Sequence, residues 1–409
     1  MALTALAEKV LVKAKELDQR GVVDPDSKLG FRNMTTQDYS SRATLVEAIR
    51  ELERLSLGPL ETLHDIALKS IDGVSLYASS HYKIPLHIPN DGIRIRDLAI
   101  KLNLDEEKIT RLLRHAISNG IFREPQPGII AHNPLSRLMR DDEDTLGMVK
   151  FTFDEILPTA VRALDALDKW PGSRDPKQTA FVLRTGWTES PFAWLARDPE
   201  KVKNFAGMMR AITEMLTSGP DSLDRSPLWR EIDKPGATFV DVGGGHGHVS
   251  LQVAKVTENV RFVVQELPEV VAIGEASLPA EYKDRVSFQA SDFNREQTLK
   301  GAEVYFLRKI LHSSPDHVSL EILRNLIPAL KAGSKVVVCE YILPETAKPR
   351  YEEWDARNLD LNMMINSNGK ERTTSEWKKL FADADSRFDL EFEQWECSTH
   401  GLIKATWKP

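Results

Sequence analysis

The chain has 409 residues, of which 28% are charged and 41% are hydrophobic, and its formal net charge is −7 at pH 7. This length provides for two or three domains with a large buried core, and the composition is that of a globular protein, which excludes a disordered or fibrous chain. The negative net charge opposes binding to the phosphates of nucleic acid.

The amino-terminal segment predicts an amphipathic helix. Residues 1–21 alternate apolar and charged side chains with a helical period and contain no long apolar run, which favours a packed helix over a signal peptide or a membrane span. The chain contains two cysteines, Cys339 and Cys397, and the first lies in an apolar, strand-like run. So few cysteines favour a reducing compartment, and we expect a cytoplasmic protein with no membrane partner.

Further along, the pattern is that of a helix–turn–helix followed by a β-ribbon. Helical patterns cover residues 95–102 and 105–119, Asp105 is a plausible N-cap, and residues 121–132 resemble the ribbon. This winged-helix arrangement occurs in DNA-binding proteins, so a DNA-binding module is a remote alternative. The acidic residues at the start of the second helix offset its basic ones, and we expect no nucleic-acid partner.

A glycine-rich turn marks the start of the third region. Residues 239–255 run from an apolar strand pattern through Asp241 into a glycine cluster and then into a helical pattern. Gly243 and Gly245 allow the backbone to turn sharply and to approach a ligand closely. The turn therefore predicts a nucleotide-type cofactor site at the carboxyl end of a sheet strand, with Asp241, Gly243 and Gly245 in it.

The residues that follow predict a doubly wound α/β sheet. Apolar, β-branched runs recur at residues 260–265, 286–289, 303–308 and 334–341, and helical patterns separate them. Strands that alternate with helices in this way form parallel sheets.

Side chains at the ends of two of these runs fit the parts of an adenosine group. Glu266, with Leu267 beside it, follows the second run about 20 residues after the glycine turn, a spacing that suits a carboxylate on ribose hydroxyls. Asp292 and Phe293 follow the third run, where a carboxylate and a ring could hold an adenine. His246 and His248 could form a metal pair, but no partnering cluster stands at ligand spacing, and we predict no metal.

Six segments resemble those of the plant- and fungal-type small-molecule O-methyltransferases, which are class I enzymes dependent on S-adenosylmethionine (SAM). The resemblance covers the chain from about Arg42 onward. It implies that the cofactor is SAM and not a dinucleotide. The segments are GIIAHNPLSR (128–137), ESPFAWLARDPEKVKNFAGMM (189–209), FVVQELPEVV (262–271), YFLRKILHSSPDHVSLEILRNLIPAL (305–330), VVVCEYILPE (336–345) and GKERTTSEW (369–377).

The resemblance implies a domain organisation and an assembly. We expect a mainly helical, winged-helix dimerisation domain over residues 1–147 and a helical connecting region over 148–228 that lines the substrate pocket. A Rossmann-like SAM-binding domain would follow over 229–409, and the protein would act on a small molecule as a homodimer.

The resemblance also implies roles for particular residues. His312 matches the family's general base, with Glu340 and Glu371 as the carboxylates that flank it, and Arg308 matches a position that contacts the cofactor. A neutral imidazole suits a base because its ordinary pKa, about 6.5, lies near working pH. The residues that would line the acceptor pocket are Met208, Met209, Met363 and Asn366. Plain core packing is an equally open explanation for Met208 and Met209.

One motif departs from the family. Its members usually have Arg-Trp-Ile-Leu-His-Asp-Trp where this chain has Arg-Lys-Ile-Leu-His-Ser-Ser at residues 308–314, so Lys309 replaces a tryptophan and Ser313 a carboxylate. A lysine offers a point charge with three donors where a tryptophan offers a flat apolar wall. Drift in a tolerant pocket is one explanation of this change.

The functional explanation is a pericyclase, as in a small branch of fungal O-methyltransferase-like proteins that bind SAM without consuming it. Lys309 would donate to a carbonyl of a polyketide- or pyridone-like substrate during dehydration and Alder-ene or hetero-Diels–Alder cyclisation, and His132 would be a second donor or proton acceptor. The alternative is a true O-methyltransferase of a phenolic or polyketide hydroxyl, with His312 as the base. From the sequence alone we place the pericyclase slightly ahead.

Overall fold

The structure is a computed structural model, and it describes residues 2–217, 223–395 and 398–409. Cys397 lies outside the described residues, and Cys339 is buried. Within these three ranges, no helix combines the length and the apolar character needed to cross a lipid bilayer.

The α-helices of the described residues are, in chain order, α1 (Leu3–Arg20), α2 (Thr36–His81), α3 (Ile84–His87), α4 (Ile95–Leu102), α5 (Glu106–Ser118), α6 (Pro134–Asp141), α7 (Glu143–Phe151), α8 (Leu157–Ala160), α9 (Ala163–Lys169), α10 (Ala180–Thr185), α11 (Pro191–Leu195), α12 (Pro199–Thr217), α13 (Leu228–Ile232), α14 (His248–Ala254), α15 (Pro268–Ser277), α16 (Asp316–Leu326), α17 (Tyr351–Ser367) and α18 (Thr374–Ala384).

The strands are β1 (Ile93–Arg94), β2 (Phe122–Gln126), β3 (Ile129–His132), β4 (Thr238–Val242), β5 (Arg261–Glu266), β6 (Val286–Ala290), β7 (Val304–Arg308), β8 (Lys335–Leu343), β9 (Arg372–Thr373), β10 (Phe388–Gln394) and β11 (His400–Trp407).

The chain forms two compact units. One comprises Met1–Val161 with Phe192–Pro220, and the other comprises Arg162–Pro191 with Asp221–Pro409. The division into three regions with boundaries after residues 147 and 228 stays a prediction.

The first unit is mainly helical, and it contains the predicted helix pair and ribbon. The predicted N-cap is confirmed, because the Asp105 side chain accepts a hydrogen bond from the Lys108 backbone at the start of α5. Strands β1, β3 and β2 form a small antiparallel sheet. Apolar faces of α4 and α5 pack with this sheet around Leu98, Ile109 and Ile130, which are fully buried. The long helix α2 breaks at Gly58, where φ is 72°.

The second unit contains the predicted doubly wound sheet. Its strand order is β10-β11-β8-β7-β4-β5-β6, and strands β4 to β8 run parallel. The central strands are buried on both faces, which explains their unbroken apolar runs. The antiparallel strands β10 and β11, which the sequence patterns did not single out, extend the sheet beyond β8.

This topology decides where the functional side chains meet. Strand order reverses between β4 and β7, and ligands bind in such sheets at the carboxyl ends of the strands beside that reversal. The glycine turn follows β4, Glu266 ends β5, and the His312 segment follows β7. Their strands are neighbours, so one edge of the sheet collects all three.

Candidate active site

Three consecutive glycines in the turn after β4 are at positions that do not readily accept a side chain. Gly243 and Gly245 have φ angles of 68° and 57°, in the left-handed region that favours glycine. A methyl group on Gly244 would lie 2.5 Å from Cγ of Asp241, and one on Gly243 would lie 2.7 Å from Cδ1 of Ile310. The turn therefore presents bare backbone, which is what a closely bound ligand requires.

Asp241 lies buried under this turn. Its Oδ2 accepts a hydrogen bond of 2.7 Å from the Ser250 hydroxyl on α14. Burial raises the pKa of Asp241 to about 6. A cationic ligand nearby would favour the ionised carboxylate, so this position fits a positively charged cofactor.

Glu266 joins the glycine turn to the next helix. Its Oε1 accepts from the Gly245 backbone at 3.2 Å, and its Oε2 accepts from the Leu267 backbone at 2.9 Å. The structure thus brings together three residues that the sequence assigned to the cofactor.

Phe293 lies beside the same turn. A methyl group on Gly243 would be 3.5 Å from Cε1 of Phe293. Asp292, next to it, accepts from the backbone and side chain of Asn294, both at 2.9 Å. Arg308, at the end of β7, interacts electrostatically with Asp241.

A buried amide network behind these residues was not predicted. Gln265 donates from Nε2 to Oε1 of Gln289 and to Oε1 of Gln297, both at 2.9 Å, and Gln297 returns a bond of 2.7 Å to Oε1 of Gln265. The network connects the ends of β5 and β6 to the loop after Phe293. A glutamine at the last position before Glu266, in an otherwise apolar strand, was the available signal.

We expect the substitution Gln297→Leu to weaken SAM binding about tenfold, because it leaves the buried side-chain carbonyl oxygen of Gln265 without its donor. Calorimetric titration of the protein with SAM measures this effect without turnover. Gln126→Leu, at an exposed glutamine of β2, is the control and should bind SAM as the unmodified protein does. Equal affinities of the two variants would show that the network does not support the cofactor loops.

His312 lies in a short 3-10 helix, Leu311–Ser313, directly after β7. Its Nδ1 is 2.7 Å from Oε1 of Glu371, and both side chains are buried. A carboxylate only accepts, so Nδ1 carries a proton, and in the neutral ring Nε2 keeps its lone pair. This is the tautomer in which a histidine can remove a proton.

Glu340 supports the segment in a different way from the one the resemblance implies. Its Oε1 accepts from the backbone N–H groups of Ile310 and Leu311, at 3.0 and 2.7 Å. The carboxylate therefore holds the turn that carries His312, and in the described part of the chain Glu371 is the carboxylate that bonds the ring. Burial raises the pKa of Glu340.

Arg372 is a further support that the sequence analysis missed. Its fully buried guanidinium donates to the carbonyl groups of Leu311 and Ser314, on either side of His312, at 3.0 and 3.1 Å. It also pairs with Asp316 at 2.9 Å. Its position next to Glu371 in the sequence was the only signal.

A polar cavity of about 460 Å³ lies beside Glu371. Arg357, Asp360 and Lys370 also line this cavity, and Asp360 accepts from the Glu371 backbone at 2.8 Å.

Lys309 has an unusual conformation. Its φ is 56°, a left-handed value that is strained for a residue with a side chain. Its Nζ lies 3.6 Å from the centre of the Tyr341 ring and is buried, with no hydrogen-bond partner among the described residues. Burial lowers the pKa of Lys309, an effect that Glu371 and Glu340 oppose. Ser313, the other departure, donates from its hydroxyl to the Ile310 carbonyl at 2.7 Å.

His132 belongs to the first unit, where both ring nitrogens have protein partners. Nε2 is 3.0 Å from the Ile88 carbonyl oxygen, and Nδ1 is 3.0 Å from the Ser136 hydroxyl. Burial lowers the pKa of His132. These bonds account for His132 as a structural residue, and its role as a donor stays a prediction.

The predicted substrate residues lie on two helices. On α12, Met208 is buried in a cluster with Phe151, whereas Met209 is exposed. On α17, Met363 and Asn366 are half-buried, and Asn366 donates to the Asn362 carbonyl at 2.8 Å. Their roles stay predictions.

The predicted absence of a metal likewise stays a prediction. Within the described ranges, no group of three or more histidine, cysteine, aspartate or glutamate side chains could hold a metal ion. The rings of His246 and His248 have centres 6.2 Å apart.

A sheet with this order and a glycine turn after its first strand define an α/β domain of the nucleotide-binding class. The family model of the O-methyltransferase domain matches residues 174–387. Chlorophenol O-methyltransferase of Trichoderma longibrachiatum is 34% identical over 99% of this chain and 90% of its own. The grayanic acid biosynthesis cluster O-methyltransferase of Cladonia grayi is 32% identical over 90% of this chain and 78% of its own. The chain belongs to the SAM-dependent O-methyltransferase family, and SAM is its cofactor.

Solved structures agree with this family. LepI in complex with SAM is 25% identical, covers 98% of this chain and 100% of its own, and superposes with a TM-score of 0.77. A solved structure of a pericyclic reaction enzyme is also 25% identical, covers 97% of this chain and 99% of its own, and superposes with a TM-score of 0.78. OxaC in complex with S-adenosylhomocysteine and oxaline shares the fold, with a TM-score of 0.80, 21% identity and 99% of both chains covered.

Proposed function

We propose that this chain is a fungal-type O-methyltransferase of secondary metabolism that methylates a phenolic or polyketide hydroxyl group. The observation that carries the proposal is the buried bond between His312 Nδ1 and Glu371, which leaves Nε2 as the proton acceptor. The named relatives support this reaction, since one acts on a chlorophenol and another belongs to the grayanic acid cluster. For these two reasons we place the methyltransferase ahead of the pericyclase, whereas the sequence alone placed the pericyclase slightly ahead.

The glycine turn and its neighbours are the proposed cofactor residues. The bare backbone of Gly243 and Gly245 accommodates a closely bound ligand, Asp241 and Arg308 lie behind it, and Glu266 with Leu267 borders it. Asp292 and Phe293 would hold the adenine. When bound, SAM supplies an electrophilic methyl group on a positively charged sulfur.

The residues of this chain supply the acid–base chemistry. His312 removes the hydroxyl proton of the acceptor at Nε2, and the resulting imidazolium is stabilised by the Glu371 carboxylate on Nδ1. Glu340 and Arg372 bond the backbone on both sides of His312 and so fix its position. General base catalysis of this kind contributes about 10²- to 10⁴-fold in rate.

The test is incubation with SAM and a panel of phenols that includes a chlorophenol and polyphenolic polyketides. We expect one S-adenosylhomocysteine for each methyl ether formed, both measured by mass spectrometry with SAM labelled in its methyl group. The same protein without an acceptor is the control. SAM that binds but is not consumed with any acceptor would contradict the proposal.

A pericyclase is the second candidate, and Lys309 is the observation that favours it. A buried ammonium group with no hydrogen-bond partner among the described residues replaces the family's tryptophan, and a solved pericyclic reaction enzyme is 25% identical over 97% of this chain. Lys309 would then donate to a substrate carbonyl in the dehydration and cyclisation of a polyketide- or pyridone-like substrate, and SAM would act through its charge only. His132 could take part only by exchanging its bond to Ile88 or Ser136. Product formation without S-adenosylhomocysteine would favour this candidate.

We also propose a homodimer, formed through the amino-terminal helices, in the cytoplasm. Large apolar side chains recur at helical spacing along α2 after its break and are exposed, as a subunit interface requires. They are Leu60, Leu63, Ile66, Ile71 and Val74. The buried, unpaired Cys339 fits a reducing compartment. A one-subunit mass in sedimentation would contradict the dimer.

A further inference from the structure

Lys309 combines three features that each oppose folding. Its backbone has a left-handed φ of 56°, its ammonium group is buried, and that group has no hydrogen-bond partner among the described residues. A buried charge persists only where other charges or dipoles stabilise it. The surroundings of the ammonium group therefore indicate what it does.

The face of the Tyr341 ring is the nearest of these surroundings. The ammonium nitrogen lies 3.6 Å from the ring centre, a distance typical of a cation–π contact. The ring is itself fixed, because the Tyr341 hydroxyl donates to Asp355 on α17 at 2.5 Å and the ring packs on His400 with centres 3.8 Å apart. Lys309 is thus held against a rigid aromatic surface.

Two carboxylates of the active site are the other surroundings. Glu371 and Glu340 both interact electrostatically with Lys309, and each has an Oε2 atom that is buried without a hydrogen-bond partner in the described part of the chain. The other charged or titratable groups around Glu371 come from several elements packed against it. They are His312, Arg372, Asp360, Tyr341, Glu345, Arg357, Lys370 and Glu376.

We propose that Lys309 is a positioning residue that acts through Glu371. Its buried ammonium group, held on the Tyr341 ring, keeps the Glu371 carboxylate ionised, and the ionised carboxylate keeps the His312 ring in its proton-accepting orientation. This inference rests on the proposed methyltransferase activity, and it places Lys309 behind the base rather than against the acceptor.

The direction of the electrostatic effect supports this assignment. Burial acts to raise the pKa of Glu371, but the charge of Lys309 and the bond from His312 outweigh burial and lower that pKa below its ordinary value. Removal of the Lys309 charge lets the pKa of Glu371 rise, so the carboxylate is protonated at a higher pH. Because His312 and Glu371 form one hydrogen-bonded pair, loss of the nearby positive charge lets the pair take up a further proton at a higher pH, and activity should be lost at that higher pH as the solution is acidified.

The experiment compares the pH profiles of kcat for Lys309→Met, Lys309→Arg and the unmodified protein. We expect Lys309→Met to move the acid limb to higher pH, with about a tenfold loss of kcat on that limb and little change at alkaline pH. Lys309→Arg retains the charge and should restore the profile. Lys404→Met, at another buried lysine of the same sheet, is the control and should leave the profile unchanged.

Two results would overturn the inference. An unchanged acid limb with a raised KM for the acceptor would place Lys309 against the acceptor, and an unchanged profile with unchanged KM would make it a packing residue. If Lys309→Met does not fold, Lys309→Gln takes its place.

A second measurement separates this inference from the proposed activity. The Nδ1 proton of His312 is followed by NMR in protein labelled with ¹⁵N-histidine and assigned with His312→Gln. We expect its signal to be lost on acidification at a higher pH in Lys309→Met than in the unmodified protein, whether or not any acceptor is methylated. Loss at the same pH would overturn the inference alone.

Discussion

Replacement of His312 by glutamine should lower kcat for methyl transfer about 10³-fold while the affinity for SAM changes less than about twofold. Glutamine keeps a polar group of similar size but has no lone pair basic enough to remove a hydroxyl proton. The affinity for SAM should persist because the glycine turn is bonded to Glu266 and Asp241 is bonded to Ser250, and none of these groups is bonded to the imidazole. Steady-state kinetics with the best acceptor, together with calorimetry for SAM, measure both quantities.

The control for this variant is His317→Gln, at an exposed histidine of the next helix, α16. It should retain kcat within about twofold, because exposed polar substitutions seldom affect the fold. Product formation by His312→Gln at the unmodified rate, without S-adenosylhomocysteine, would instead support the pericyclase, in which His312 is not the base.

Replacement of Gly369 by alanine should lower kcat about 10²-fold, because it displaces the segment that carries His312. A methyl group at this position would lie 2.3 Å from the His312 carbonyl oxygen and 2.7 Å from the Ser313 carbonyl carbon. Both atoms belong to backbone that Glu340 and Arg372 hold, so the collision cannot be relieved by rotation of a side chain. Kinetics and thermal unfolding of the same preparation separate the loss of activity from any loss of stability.

Gly172→Ala is the matched control, since a methyl group there meets no atom within 4 Å and the residue has no left-handed φ. It should have the kcat and the melting temperature of the unmodified protein. If Gly369→Ala also had the kcat of the unmodified protein, the position of the His312 backbone would not limit catalysis. The bonds from Glu340 and Arg372 to that backbone would then not be needed for activity.

The departure at residue 313 also has a physical account. The Ser313 hydroxyl bonds the Ile310 carbonyl within its own turn, so the turn remains closed without the family's carboxylate. That loss removes a negative charge next to His312 and leaves Glu371 as the carboxylate bonded to its ring. The bond between His312 and Glu371 orients the ring, and the role proposed for Lys309 acts on this bond.

The elements that were predicted correctly are those whose conformation depends on residues close together in the sequence. The glycine turn, the strands β4 to β8 and the N-cap at Asp105 were predicted correctly from the sequence, because backbone conformation, strand burial and capping depend on a few neighbouring residues. Glu340 and Glu371 were found through the family motifs, but their division of labour was not. Glu340 lies within β8 and Glu371 lies directly before β9. Which of them bonds the His312 ring and which bonds the backbone depends on how these two strands are placed relative to the His312 segment.

The sequence by itself determined the class of fold and the kind of cofactor, because alternation of strands and helices and a glycine turn are patterns of adjacent residues. Only the tertiary structure decided that Arg372 holds the His312 backbone, that three glutamines join the cofactor loops, and that the Lys309 ammonium lies on the Tyr341 ring. These contacts join strands and loops far apart in the chain. The chemistry of these contacts depends on distances of a few ångström between side chains. The packing of the sheet sets those distances, and no pattern of adjacent residues encodes them.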